Sequence, residues 1–169
     1  MKNDNPYAET KILHDDKTEI FHYHCFACGQ TNQDGLQLQF ESKGDQVTCH
    51  TTINEQHQGY SGLAHGGIIA TLMDAAMVRC LHNRFNQSPL TCRLDIRYLK
   101  SIPTNMEITI AAFPKRRRGF MCWAEGVVLC NGHVYAKGRG TFKLQENANI
   151  SSSGMKNNNK KENQWIQKI

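Results

Sequence analysis

The sequence predicts an α+β domain: an antiparallel sheet of five to six strands wrapped around one long buried helix. Three observations carry this. Residues 66–78, GGIIATLMDAAMV, are apolar but for Asp74, and a helix that is apolar on every side is one that gets buried. Segments with the alternating pattern of half-buried strands lie on both sides of it, two before and four after. Short turns join consecutive strands, which makes them antiparallel neighbours. One helix among antiparallel strands can bury itself only if the sheet curls around it. A chain of 169 residues with 39% hydrophobic and 21% charged residues suits one such domain with tails.

The elements follow in order. Residues 1–21 form a polar N-terminal extension with a few apolar anchors, Tyr7 among them, and the domain itself is expected over 22–146. An aromatic, Cys-bearing loop leads into a first strand, where Leu36, Leu38 and Phe40 alternate with Gln37, Gln39 and Glu41. Its hairpin partner is Gln46 to Ile53, across the turn Ser42-Lys43-Gly44-Asp45. The helix runs from Gly66 to about His82. Four strands follow: Thr91 to Leu99, Met106 to Phe113, Gly119 to Cys130 and Gly132 to Leu144. The turns between them hold Pro103, Pro114 with its basic run, and Asn131-Gly132, whose residues tolerate positive φ. From Asn147 to Ile169 the chain is rich in Asn, Ser and Lys, too polar to offset the entropy of ordering, and is expected to be disordered. Trp165 is its one candidate anchor.

Composition excludes several classes. The formal net charge is +5, of which the four lysines and one glutamate after residue 146 supply +3, leaving +2 for the rest. That balance does not suggest a nucleic-acid binder. No run approaches the ~20 apolar residues of a membrane span. The first residues hold no apolar signal region, so the expectation is a cytoplasmic protein. Seven cysteines without regular spacing then read as reduced thiols.

Asp74 invites a chemical reading, because taking a carboxylate out of water costs several kcal/mol unless something compensates. Gly66 and Gly67 stand at the N-terminal mouth of the same helix, where free N–H groups and the helix dipole favour negative charge. A glycine lets a ligand approach that backbone closely, and the oxyanion of an acyl carbonyl suits the place. Equally, the glycines could serve tight packing, His65 a cap, and Asp74 a structural hydrogen bond. Gly66, Ala70 and Asp74 share one helix face, but Gly66 and Asp74 stand about 12 Å apart along the axis. Reacting groups must approach within ~3 Å. One helix cannot bring both to one small group, whereas two antiparallel copies from two subunits can. A dimer with shared sites is expected.

The stretch HQGYSGLAHGGIIATLMDAAM resembles the signature of hotdog-fold acyl-CoA thioesterases of the phenylacetate-pathway (PaaI-like) group. CFACGQTNQDGLQLQF, LTCRLDIRYLKSIP and VYAKGRGTF are similar to other segments of that group, over roughly residues 22–144. The resemblance implies a hotdog fold that hydrolyses acyl-CoA, as a homodimer or dimer of dimers, without cofactor, metal or nucleic acid. It implies that Gly66 supplies an oxyanion N–H and that His65 supports the turn. Asp74 of the partner subunit is then the nucleophile or the base for a water, and Thr91 orients the water or the carboxylate. Gly67 and His57 are expected beside the substrate, with Ile69, Met73 and Met77 as pocket walls. One departure stands out: some relatives carry Asn six residues before the motif His, where this chain has Gly59. Gln58 or His57 would then have to polarise the carbonyl.

Two further features admit two readings. Cys25 and Cys28, flanked by His22 and His24, look like half a zinc site, but no second pair appears nearby and no metal is expected. Lys115-Arg116-Arg117-Arg118 is either a solvated hairpin loop or a phosphate contact for CoA, with Arg117 and Arg118 the candidates. The rival functions are a non-catalytic acyl-CoA binding or sensing protein of the same fold, and a small RNA- or zinc-binding protein. A ligand-sensing transcription factor is excluded by the lack of any helix-turn-helix segment, and a dehydratase of this fold fits the HGG-Asp arrangement poorly.

Overall fold

The computed structural model describes residues 22–145. The N-terminal extension, the Asn/Ser/Lys-rich tail and Trp165 lie outside the described residues. Six strands, β1 (Glu41–Lys43), β2 (Gln46–Thr52), β3 (Pro89–Tyr98), β4 (Glu107–Arg118), β5 (Met121–Cys130) and β6 (His133–Leu144), accompany one long helix, α1 (Gly66–Phe85). All pairings are antiparallel, in the order β1-β2-β4-β5-β6-β3. A short 3-10 turn at Glu55–His57 precedes the helix. No helix among the described residues is long and apolar enough to cross a membrane.

One face of α1 is buried against the sheet through Ile69, Leu72, Met73, Ala76, Met77, Cys80 and Leu81. The strands meet it with small residues. A Cβ on Gly126 would lie 3.1 Å from both Met73 Cγ and Met77 Cε, and one on Gly138 would collide with Met73 Sδ. These glycines let the two methionines lie flat on the sheet. The opposite face, with Ala70, Thr71, Asp74, Ala75 and Val78, is only half-covered. The helix is therefore not buried on every side in one protomer, as its composition suggests. It also runs one turn further than expected, to a left-handed Asn86 whose N–H bonds back to the His82 carbonyl.

Two strand expectations need correction. Leu36 to Phe40 is not a strand: Gln37 has φ +46°, and Leu36 and Leu38 donate to the carbonyls of Phe26 and Ala27 in the preceding loop. Leu38 still enters the core, so the alternation marks a plug. The strand that pairs with β2 begins only at Glu41. At the other point, β4 does not end at Pro114 but continues to Arg118, with a bulge between Pro114 and Arg116. The β2 partner stops at Ala112, so Pro114 sits where one edge is open and its missing N–H breaks no ladder bond there.

Candidate active site

Asp74 sits midway along α1 on the half-covered side. Its Oδ1 accepts a 2.8 Å hydrogen bond from the Thr91 hydroxyl, near the start of β3. Burial pushes the Asp74 carboxyl above the ordinary carboxylate range, and the Thr91 hydrogen bond pulls it partway back. The carboxylate lines a cavity of about 210 Å³. Segment 22–28 forms one wall, and Thr71, Ala75, Val78, Arg79 and His82 of the helix form the other. The expected walls Ile69, Met73 and Met77 are not there: they are fully buried toward the sheet, because that face carries the core.

At the helix mouth, His65 is the N-cap residue. Its Nδ1 accepts the Gly67 N–H at 2.9 Å, and its carbonyl accepts from Ile68 and Ile69. The Gly67 N–H is thus engaged, which removes it as a substrate donor. A Cβ on Gly67 would stand 2.9 Å from His65 Nδ1, so this glycine serves the cap. Gly66 differs. Among the described residues its N–H meets no acceptor, and a Cβ would make only ordinary contacts, 3.6 Å from the Tyr98 ring. Packing does not demand glycine at 66. The Gly66 carbonyl accepts a 2.8 Å hydrogen bond from the Tyr98 hydroxyl at the end of β3. Tyr98 escapes sequence reasoning, since the contact spans 32 residues and depends on how β3 crosses the helix.

The remaining candidates fall elsewhere. His57 accepts the His65 N–H through its carbonyl and lines a separate cavity of about 170 Å³ with Ile68 and Leu72. Gln58 Oε1 is engaged by the Gly62 N–H at 3.0 Å. A Cβ on Gly59 would press within 3.2 Å of the His65 ring, so a side chain there would have to displace the cap. The basic run lies in β4 and not in a loop. Lys115 pairs with Glu125 at 2.9 Å, and Arg116 lies over Trp123. Arg117 covers Phe85 and donates to the Gly119 carbonyl, while Arg118 has no partner among the described residues. Phe85 is the last residue of α1, about 28 Å along the axis from Gly66. One protomer thus brings together Asp74 with Thr91, and separately His65, Gly66 and Tyr98, but not the two groups.

His22, Cys25 and Cys28 also converge, with their ligand-type atoms all within 4.8 Å of one another, on the cavity that Asp74 lines.

Comparison with known proteins is consistent with this geometry. Residues 61–128 match the model of the thioesterase superfamily. No curated protein matches the chain in sequence. The fold is similar to thioesterase superfamily member 2 of Mus musculus, at 25% identity and TM-score 0.59, covering 64% of this chain and 83% of that one. It is similar to a Streptococcus pneumoniae protein described as a thioesterase and solved with coenzyme A, at 21% identity and TM-score 0.60, over 64% and 88% of the two chains. A Ralstonia eutropha protein described as a phenylacetic acid degradation-related thioesterase shares the fold at 15% identity and TM-score 0.59, over 64% and 85%. A longer thioesterase-superfamily structure is spanned over only 57% of its length. The chain thus has the hotdog fold of these proteins, and its residues 61–128 match the model of the thioesterase superfamily.

Proposed function

We propose that this protein hydrolyses acyl-CoA thioesters at sites shared between two subunits. Asp74 of one subunit attacks the thioester carbonyl, or takes a proton from the water that does. The carbonyl oxygen then bears negative charge and meets the N–H of the partner's Gly66. As the tetrahedral centre collapses, the C–S bond breaks and CoA leaves with its sulfur as thiolate, which is then protonated. With water as the attacking group the free acid forms directly, whereas attack by Asp74 leaves a mixed anhydride that a water molecule opens, releasing the acid and restoring the carboxylate. Both routes require an ionised Asp74, which Thr91 favours.

The observation that carries this reading is a shared strand. β3 holds Asp74 through Thr91 near one end and the Gly66 carbonyl through Tyr98 at the other. It is an edge strand, bonded only to β6, ten residues long and largely exposed. Such an edge offers its unpaired N–H and C=O groups to another strand. Two copies of β3 paired antiparallel about Asp95, with Thr91 and Arg93 one register step apart across the β3 bulge, set Thr91 opposite the partner's Tyr98. Asp74 of each subunit then faces the other's Gly66, the geometry that a single helix cannot provide. The CoA moiety is supported by the coenzyme A solved with the Streptococcus pneumoniae relative. Arg118, with Arg117 beside it, is the cation we assign to CoA phosphates, since guanidinium forks match phosphate oxygens.

The test is thiol release from a panel of acyl-CoA esters by wild type and Asp74→Asn. The expected outcome is a fall in kcat of about 10²- to 10⁴-fold in the variant with the fold retained. Equal turnover by the two would remove Asp74 from the chemistry, and binding without thiol release by wild type on every ester would leave the acyl-CoA binding protein as the better account.

A further inference from the structure

We propose that His22, Cys25 and Cys28 form a binding site for a thiophilic divalent cation, zinc being the natural occupant, which locks the turn of residues 22–28 that walls the Asp74 cavity. In the sequence Cys25 and Cys28, flanked by His22 and His24, look like half a zinc site without a second pair, and no metal is expected. The structure brings His22, and not His24, to the two thiols. His22 Nδ1 lies 3.9 Å from Cys28 Sγ, and the three donor atoms all fall within 4.8 Å of one another. Donors on one tetrahedral zinc, with Zn–S near 2.3 Å and Zn–N near 2.0–2.1 Å, stand roughly 3.5–4 Å apart. The spacing therefore needs only a small contraction.

The segment is shaped for this convergence. The Cys25 N–H bonds to the His22 carbonyl, and the Gly29 N–H to the Cys25 carbonyl at 2.8 Å. The turn is so tight that a Cβ on Gly29 would stand 2.5 Å from the Cys25 nitrogen and 2.6 Å from the Tyr23 carbonyl oxygen. Any other residue there would push Cys28 away from Cys25. Both thiols are free and half-buried. Binding exchanges one proton from each thiol, released to solvent, for a metal–sulfur bond.

Three protein ligands leave a fourth position. All three line the 210 Å³ cavity, which has room for a water of ~30 Å³ at that position. Locking the turn has a purpose in the fold. Segment 22–40 folds largely on itself, through Leu36 to Phe26 and Leu38 to Ala27, so the shape of residues 22–28 sets the shape of that cavity wall.

The experiment reads metal and not turnover, so its outcome is independent of the thioesterase reading. The full chain is purified, reduced under anaerobic conditions, stripped of metal and titrated with Co²⁺. The expected result is thiolate-to-cobalt charge-transfer absorption saturating at about one ion per chain, displaced by Zn²⁺. It is retained in His24→Gln, lost in the Cys25→Ser/Cys28→Ser double variant, and weakened about 10-fold or more in His22→Gln. No charge-transfer band with the wild-type chain, which needs no variant to fold, overturns the proposal. So does an undiminished band in the folded double variant.

Discussion

Asp74 is held in a compromise between burial, which favours its neutral form, and the Thr91 hydroxyl, which favours the carboxylate. A carboxyl raised on folding stabilises the protein most below its unfolded pKa, and that contribution is lost as pH rises through the folded pKa. At neutral pH the wild type therefore carries a stability cost that Asp74→Asn removes, while the amide still accepts from Thr91. The Tm of Asp74→Asn is expected to exceed that of wild type at pH 7–8 (on the order of neutral). The gain should shrink toward acid, as read by thermal denaturation over a pH series. A lower Tm at neutral pH would mean that the carboxylate is structural. Thr91→Val removes the influence that favours ionisation. Its kcat/KM should fall about 10-fold, the scale of a hydrogen bond to a charged group, and the acid limb of its pH–rate profile should move to higher pH. An unmoved limb would place Thr91 outside the chemistry.

At the level of elements, the mouth of α1 separates two adjacent glycines by their work. Gly67 makes space for the His65 cap, and Gly66 leaves an N–H open. Gly67→Ala should therefore cost about 1 kcal/mol of stability, the usual worth of a helix cap. Gly66→Val should keep the fold, as seen by circular dichroism, yet lose thiol release through blocked access to the N–H. The reverse pattern would exchange their roles. The helix and the later strands were legible in the sequence because the apolar run and the period-two alternation each report one buried face. Leu36 to Phe40 misled because Gln37 at positive φ breaks the strand while Leu38 still reaches the core. Pro114 misled because an open edge tolerates a proline that a fully paired strand would not. Asp74, Gly66 and His65 stood out by residue type and position. Tyr98 did not, since its contact depends on how distant segments meet; His22 and His24 were both visible beside Cys25 and Cys28, but which of them turns to the thiols depends on the local turn.

For the whole molecule, the two halves of the site lie at opposite ends of β3, and the central claim is that a second copy of this chain unites them. A variant with only Asp74→Asn and one with only Gly66→Val should each be inactive as homodimers. In a mixed dimer, one site receives both lesions and the other receives neither. Subunit exchange between the two purified variants, verified by mass spectrometry of the mixed dimer, decides the matter with one thiol-release assay. Random exchange makes half the dimers mixed, each with one intact site of two, so activity should recover to about a quarter of wild type. Mixed dimers that form and remain as inactive as either parent would contradict a site shared between subunits.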